Sequence, residues 1–443
     1  MMNSIIGTDI VEIVIVSVIT TVISMFLFEL VARIGKLELA FPKKVGLYAF
    51  ILTVSFFAVK GLFFSTTPLS QFMWILGAVI LFLFSVWYGF NANPFSLRGL
   101  KHIRLYIKGY RCKPLTKDAI FNRYGGRNNF IGANDFYIPW IQIFYNKEGL
   151  KEEDFTAKIV RDENGESKRY ILPLSPKVIK DVREFNRKGR VVVDWAETGR
   201  FIKLEHIKDT TKSKVVLHFE ITTYFDYLAS NLYVDTVVPS LRKKTIRDHL
   251  EGNVPEKALD NPRSANHGGV TALLLCSDKQ LIILQNRSDN ATYPNKICAS
   301  TSGTLEAGDL ADGSKPSPPF HALRREMEEE LHLQPSDLEE LYLLAIARDM
   351  KRGGSPEFIF FAKTQLISGV VYDHFSRAYE KKEESNNTTP LEIKSPQQEG
   401  FITKKIDELH FSQDLEKQGF NLPAMAAVYY YEKMAQSKKS VIF

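Results

Sequence analysis

Three long apolar runs dominate the N-terminal part of the chain. They cover about residues 10–32, 45–64 and 72–90, and each approaches the roughly 20 residues that a helix needs to cross the hydrocarbon core of a bilayer. The pattern predicts a transmembrane α-helical bundle of three helices within residues 1–92. Within these runs Lys60 and the pair Glu29 and Arg33 favour interfacial anchoring, although a polar element of a pore stays open.

Basic residues flank these runs unevenly. The link between the second and third runs carries no charge, whereas the first link and the segment after the third run are rich in Lys and Arg. Positive loops stay in the cytoplasm, so we expect an outside N-terminus and a cytoplasmic C-terminal domain. The N-terminus has no basic region typical of a cleaved signal peptide, and the first helix is therefore expected to remain.

The net charge and the cysteine content limit the kinds of partner and the cellular compartment that we expect. The net charge is +6, but much of it lies beside the membrane, so we expect no nucleic-acid polymer as a partner. Cys112, Cys276 and Cys298 show no metal-ligand spacing and indicate reduced thiols in a cytosolic compartment.

The remainder of the chain divides into two regions. Residues 93–265 contain short strand-like runs at 169–174, 191–195 and 215–224, which predict a juxtamembrane linker and a small α+β subdomain. Residues 266–443 begin with a predicted hairpin, 270–276 and 280–287, and continue with a helix opened by Pro318 and Pro319. Further strands are predicted at 341–348 and 357–363, a long mobile loop at 376–400, and a closing helix within 424–435.

The helix after Pro319 carries the candidate chemistry. Glu326, Glu329 and Glu330 share one face at i, i+3 and i+4, and apolar residues occupy another face. Like charges at this spacing repel, and Arg325, which can pair with Glu329, does not neutralise three carboxylates. The pattern fits a solvated acidic face, or a site for Mg²⁺ or Mn²⁺, which prefer oxygen ligands. The glycine-containing loop before the helix favours the metal site.

The loop and helix together resemble the Nudix box. Gly303, Glu306 and Gly308 match the loop, and Arg325, Glu326, Met327, Glu329, Glu330 and Leu333 match the helix. The resemblance implies an α/β Nudix fold, a mixed sheet between helices, over residues 266–443. It also implies that the three glutamates are metal ligands or the catalytic base, and that Arg325 orients them. Three features differ from the pattern: Asp309 replaces a glutamate, the loop is about eight residues longer, and His332 replaces a glycine.

The order of segments along the whole chain is similar to the membrane-anchored SMODS-associated NUDIX effectors of CBASS, a bacterial antiphage system. This resemblance implies a receptor in the bacterial inner membrane, with a periplasmic N-terminus, that senses a cyclic oligonucleotide made by a CD-NTase. Its partners would be that second messenger, the lipid bilayer and further copies of itself, with the CD-NTase a functional rather than a physical partner. Membrane disruption by the helices would then cause abortive infection.

An enzymatic alternative stays open. A membrane-tethered, Mg²⁺-dependent Nudix pyrophosphohydrolase would act on a nucleoside diphosphate derivative, with Glu326, Glu329, Glu330 and Arg325 as its catalytic residues. For either function, the nucleotide contacts expected from the sequence are Arg287, Ser302, Gly303 and Glu306. Phe358 and Tyr293 are further candidates, although core packing is favoured over stacking for Phe358 and stays open for Tyr293.

Overall fold

The structure is a computed structural model. It describes residues 110–189, 200–211, 214–253, 255, 263–285, 296–310, 317–385, 401–405 and 409–439. The three membrane helices expected from the sequence lie outside these residues. Among the described residues, no helix is both long and apolar enough to cross a bilayer.

Two compact units make up the chain. The first consists of Met1–Arg111, Lys180–Val192 and Val238–Arg242. In its described part, Asp181 accepts hydrogen bonds from the backbone N–H and the hydroxyl of Ser240. The second unit consists of Cys112–Ile179, Val193–Val237 and Lys243–Phe443, and the candidate site lies within it.

Short and long elements alternate along the described chain. The helices are α1 (Lys117–Arg123), α2 (Pro176–Gly189), α3 (Tyr224–Tyr227), α4 (Ile246–Glu251), α5 (Pro318–Leu331), α6 (Ser368–Ser385), α7 (Gln413–Gln418) and α8 (Leu422–Lys439). The strands are β1 (Arg111–Cys112), β2 (Gly132–Ala133), β3 (Phe136–Tyr137), β4 (Trp140–Leu150), β5 (Phe155–Ile159), β6 (Arg200–Thr211), β7 (Lys214–Thr223), β8 (Thr236–Val237), β9 (Gly269–Leu275), β10 (Gln280–Gln285), β11 (Ile297–Cys298), β12 (Thr301–Thr304), β13 (Leu338–Asp349), β14 (Ser355–Thr364) and β15 (Phe401–Lys405).

A mixed sheet of eight strands forms the centre of the second unit. Its order is β11-β10-β9-β14-β13-β4, with β12 added on β9 and β15 added on β10. β9 and β14 are parallel, whereas β9 and β10 form the predicted antiparallel hairpin. The strands predicted at 341–348 and 357–363 are confirmed as β13 and β14. β4 comes from the region that the sequence analysis assigned to the linker subdomain, yet it pairs with β13.

Side chains alternate between the two faces of this sheet. Along β9, Val270, Ala272 and Leu274 pack in the same core as α5, whereas Leu273 packs in the core that contains α8. The two helices predicted from the sequence are thereby confirmed, one on each face. A sheet between helices is the arrangement that the sequence resemblance implies.

A smaller sheet, in the order β5-β7-β6, adds its apolar residues to the α5 core. The strand predicted at 215–224 is confirmed as β7. The strand predicted at 169–174 is wrong, because only Arg169 forms an isolated bridge, to Ile221. Pro173 lacks the N–H group that a continuous ladder would need. The strand predicted at 191–195 lies outside the described residues.

Part of the predicted mobile loop is helical. Residues 376–385 belong to α6, while residues 386–400 lie outside the described residues. Val371 is fully buried and Phe375 packs against the α5 core, so two residues at i and i+4 anchor the helix. The loop predicted over 376–385 is therefore wrong, because many of the charged residues that suggested it are good helix formers.

Candidate functional site

The apolar stripe of α5 fixes the direction of its carboxylates. Pro318 and Pro319 occupy the first turn, where proline is well tolerated. Four apolar residues spaced along the helix are completely buried: Phe320, Leu323, Met327 and Leu331. Because these residues face the core, the glutamates between them lie beside β12.

Glu326 contacts β12 at a glycine. Its Oε1 accepts hydrogen bonds from the backbone N–H of Thr304 at 3.3 Å and from Nη1 of Arg325 at 2.8 Å. A Cβ atom at Gly303 would lie 1.8 Å from Cδ of Glu326, so a larger residue would displace the carboxylate. The glycine that the sequence analysis assigned to a phosphate or metal contact thus makes room for Glu326 itself.

The other two glutamates have different surroundings. Glu330 Oε2 accepts hydrogen bonds from the hydroxyl of Thr301 at 2.7 Å and from the N–H of Ser302 at 3.1 Å. The side chain of Glu329 is 58% exposed, and its Oε1 lies 3.6 Å from Nη1 of Arg325. The predicted pair between Arg325 and Glu329 is therefore confirmed.

Arg325 joins the loop before α5 to the helix. It donates to the Thr304 carbonyl at 2.7 Å and contacts both carboxylate oxygens of Asp309, at 3.3 and 3.4 Å. Burial alone would lower the pKa of Arg325, but hydrogen bonding to Asp309 and the charge of Glu326 raise it above its usual value. Asp309, at the position where the Nudix box has glutamate, reaches Arg325, so the shorter acid keeps the loop and helix connected.

Glu326 is the acid in this group with a strongly shifted pKa. Burial, followed by the negative charge of Glu330, raises the pKa of Glu326 to about 7. A carboxyl group with such a pKa exchanges a proton near neutral pH, which is the property of a general base or acid. Glu326 can therefore exchange a proton in the conformation described here.

The three glutamates do not converge on a single point as they are placed. Their oxygen atoms are of the kind that Mg²⁺ and Mn²⁺ prefer. However, Glu326 and Glu330 bind different residues of β12. Within the part of the chain that the structure describes, no three acidic, histidine or cysteine side chains converge closely enough to hold a metal ion. The roles of the glutamates as ligands stay a prediction.

His332 ends α5 where the Nudix box has glycine. Its backbone is left-handed, with φ of 57° and ψ of 29°, a conformation that glycine adopts without strain. Its N–H bonds to carbonyl groups of the last helical turn. The substitution therefore affects the helix cap and leaves the glutamates in place.

A cavity of about 210 Å³ lies on the other side of β12. Gly303 and Thr301 face α5, so Ser302 and Thr304, which alternate with them, face away from it. The cavity is lined by residues of several strands and loops: Tyr227, His267, Gly268, Gly269, Cys298, Ser302, Gly303, Thr304, Arg352, Ser355, Glu357, Asn421 and Pro423. None of these residues belongs to α5.

The residues predicted to bind a nucleotide separate into three groups. Ser302 and Gly303 line the cavity, whereas Glu306 is exposed and lies 3.9 Å from Arg325. Phe358 is fully buried in the α5 core, which confirms the core packing favoured from the sequence over a stacking surface. Arg287 and Tyr293 lie outside the described residues. Ligand contact by Ser302 and Gly303 stays a prediction.

Sequence analysis missed most of the cavity. Tyr227, His267, Arg352 and Glu357 are distant in sequence and meet only because β9 and β14 are parallel neighbours and α3 packs beside them. The sequence did contain one signal for the cavity. In the turn at 350–354 between β13 and β14, two charged residues and two glycines follow a buried strand.

Comparisons with known proteins add three structural neighbours. DR0079 from Deinococcus radiodurans is 22% identical over 23% of this chain, with a TM-score of 0.18, and the match spans 57% of DR0079. The Ap4A hydrolase of C. elegans is 12% identical over 38% of this chain and 96% of its own length, with a TM-score of 0.20. RenU, a Nudix hydrolase from M. smegmatis, is 13% identical over 29% of this chain and 90% of its own, with a TM-score of 0.16.

These likenesses are too weak to carry an argument about this chain. No protein-family model and no curated protein matches the sequence.

Proposed function

We propose that this protein is a membrane-anchored effector of a bacterial CBASS antiphage system. Its Nudix-like domain binds a cyclic oligonucleotide made by a CD-NTase, and three N-terminal helices then disrupt the inner membrane and cause abortive infection. The proposal joins the apolar runs within residues 1–92 to a ligand cavity in the second unit. A fold hosts many functions, and the way in which this cavity is built and connected supports the proposal.

One observation carries this proposal: hydrogen bonds connect the cavity to residues 113–115, which follow the predicted membrane segment. Arg352 lines the cavity, and the carbonyl of the preceding residue, Lys351, accepts a long 3.5 Å hydrogen bond from Arg247 Nη2. Arg247 in turn holds Asp235 with Nε at 2.6 Å and Nη2 at 3.2 Å. Asp235 accepts hydrogen bonds from the backbone N–H groups of Lys113 and Leu115.

The pair of Arg247 and Asp235 at the centre of the connection is shielded from water. Arg247 is 1% exposed and Asp235 is 8% exposed, and a charge pair in such surroundings is costly to separate. A second set of hydrogen bonds joins Arg352 to Arg247 through the chain segment from Asn231 to Val234. Asn231 donates to the Arg352 carbonyl at 2.9 Å, and the Val234 carbonyl accepts from the backbone N–H of Arg247. A ligand that moves Arg352 would thus change the support of residues 113–115.

The cavity position also favours retention of the ligand over its cleavage. β12 separates the cavity from the carboxylates of α5, since Gly303 faces Glu326 while Ser302 faces the cavity. The part of a ligand that lies inside the cavity is therefore separated from Glu326 by the strand. Binding without hydrolysis is what a sensor requires.

The test is a titration of the full-length chain in detergent with a panel of cyclic di- and trinucleotides, with and without Mg²⁺. Chromatography of each ligand after incubation distinguishes binding from turnover. The proposal predicts saturable binding of one class of cyclic oligonucleotide and recovery of that ligand unchanged. Absence of binding to the whole panel would reject it.

A second candidate is a membrane-tethered, Mg²⁺-dependent pyrophosphohydrolase. The raised pKa of Glu326 favours it, because a carboxyl group that titrates near pH 7 is suited to deprotonate water. The same incubation with pyrophosphate-linked nucleotides tests this function. Product formation that is lost in Glu326→Gln, together with no cyclic-oligonucleotide binding, would establish the hydrolase in place of the receptor.

A further inference from the structure

The charges around the cavity do not favour an anion. Arg352 is the cation among the cavity-lining residues that the structure describes. Its Nε lies 2.7 Å from Asp349 Oδ2, and its Nη2 lies 3.4 Å from Glu357 Oε2. Burial raises the pKa of the Glu357 carboxyl. Whether or not Glu357 is ionised, the negative charge of Asp349 and Glu357 together is at least equal to the positive charge of Arg352.

The histidine and the tyrosine of the cavity are neutral. Burial lowers the pKa of His267 to about 3, so its ring carries no charge at physiological pH. Burial also raises the pKa of Tyr227, which keeps its hydroxyl protonated. The cavity therefore provides no excess positive charge, and a phosphate group transferred from water would pay its desolvation cost without an ionic partner.

The cavity is nevertheless rich in hydrogen-bonding groups. Nε2 of His267 lies 3.1 Å from the Leu305 carbonyl, which can only accept, so Nε2 carries the proton and Nδ1 is an acceptor. The hydroxyls of Ser302 and Thr304 lie on the cavity side of β12. Such a mixture of donors and acceptors matches an uncharged polar ring.

A glycine in one wall of the cavity makes room for Glu357. A Cβ atom at Gly269 would lie 2.3 Å from Oε2 of Glu357, so the glycine allows the Glu357 side chain to lie across β9. Tyr227 and His267 form an edge contact with their ring centroids 5.1 Å apart, which adds aromatic surface. At about 210 Å³, the cavity is smaller than the roughly 300–1,000 Å³ of pockets that enclose a whole drug-sized ligand.

We infer that this cavity takes the base of a nucleotide ligand and leaves the sugar and phosphates outside it. The inference rests on the proposed function, since it names the part of the cyclic oligonucleotide that the cavity selects. Hydrogen bonds to the edge of the base and contact with the aromatic rings provide the recognition, and the neutral lining excludes phosphate. Specificity for the base thus arises on the face of β12 that lies away from the α5 glutamates.

The test uses saturation-transfer NMR on the full-length chain in detergent. Adenosine, guanosine, cytidine and uridine are the probes, and inorganic phosphate is the competitor. We expect the base protons of at least one nucleoside to receive more saturation than its ribose protons. We also expect that phosphate does not displace the nucleoside. Stronger saturation of the ribose protons, displacement by phosphate, or no nucleoside binding would overturn the inference.

A substitution that fills the cavity tests whether the nucleoside signal arises from binding in this cavity. Ser302→Val adds bulk on the cavity side, and the hydrogen bond that Ser302 makes to Glu330 comes from its backbone N–H, which valine retains. Overpacking should weaken nucleoside binding about tenfold or more, whereas Ser302→Ala, which removes the hydroxyl without adding bulk, should weaken it less than Ser302→Val does. Unchanged nucleoside binding by Ser302→Val would contradict the inference.

Failure of this inference is distinguishable from failure of the receptor proposal. If Ser302→Val still binds the cyclic oligonucleotide with wild-type affinity, the ligand lies elsewhere and the receptor proposal stands. If nucleosides bind in a Ser302-dependent manner but no cyclic oligonucleotide binds, the base site stands and the receptor proposal is rejected.

Discussion

Gly303 determines where the Glu326 carboxylate lies. Gly303→Ala would place a Cβ atom 1.8 Å from Cδ of Glu326, so either the helix or the strand must move. We expect a loss of about 1–3 kcal/mol in the free energy of unfolding, measured by denaturant or thermal unfolding of the purified chain. Gly308→Ala is the matched control, because a Cβ atom at Gly308 meets nothing within 4 Å. Equal effects of the two substitutions would contradict the close contact.

The shifted pKa of Glu326 makes stability depend on pH. Folding raises this pKa from 4.5 to about 7, so the folded state binds the proton more tightly than the unfolded state does. The contribution of Glu326 to stability is therefore complete below about pH 4.5 and is lost as the pH rises through about 7.

Glu326→Gln tests this dependence. The amide keeps a hydrogen-bond acceptor but cannot ionise, so the variant should have a higher thermal midpoint than wild type at pH 8, and this advantage should vanish at pH 4. Glu329→Gln, at a side chain that is 58% exposed, is the control and should change the midpoint little. An advantage for Glu326→Gln that is equal at both pH values would count against the shifted pKa.

At the scale of elements, the end of α5 offers a gain in stability. His332 adopts a left-handed backbone conformation, which costs a non-glycine residue about 1–2 kcal/mol. His332→Gly should raise the thermal midpoint, by an amount that corresponds to about 1 kcal/mol or less because glycine also loses more entropy on folding. His332→Ala removes the same imidazole but keeps the left-handed strain, so it should give no gain.

The sequence predicted the elements that carry a regular pattern. Alternation identified β7, two apolar runs joined by a turn identified β9 and β10, and the apolar stripe from Phe320 to Leu331 identified α5. It did not predict that β4 would pair with β13, because strand pairing between distant segments leaves no periodic signal. α6 was missed for a different reason, since its charged residues were read as solvent-exposed loop.

The candidate site was predictable only on one side of β12. The glutamates of α5 are close in sequence, so their spacing revealed a common face. The cavity depends on Tyr227, His267 and Arg352, which a parallel strand pairing and α3 bring together. No local spacing encodes that contact.

At the scale of the whole molecule, Arg247 should couple the ligand to the N-terminal segment. Arg247→Lys loses the two-atom contact with Asp235, because an ammonium group lacks the planar fork of a guanidinium. In the wild-type protein we expect the ligand to protect residues 113–116 from hydrogen–deuterium exchange. In Arg247→Lys this protection should disappear, whereas the affinity for the ligand should change less than about threefold.

The control for this prediction is Arg123→Lys. Arg123 pairs with Asp248 and Glu251 and makes no hydrogen bond to Asp235 in the described part of the chain, so the ligand-induced protection should persist. Protection that survives Arg247→Lys, or is equally lost in Arg123→Lys, would place the coupling elsewhere.

The central claim is that a bound cyclic oligonucleotide makes the N-terminal helices permeabilise a membrane. The most direct measurement is dye release from liposomes that contain the full-length chain, recorded as each cyclic di- or trinucleotide is added and followed by chromatography of the nucleotide. Our account predicts rapid release with one class of ligand, recovery of that ligand unchanged, and no response by Ser302→Val. Tight liposomes in the presence of a bound ligand, or release accompanied by its hydrolysis, would contradict it.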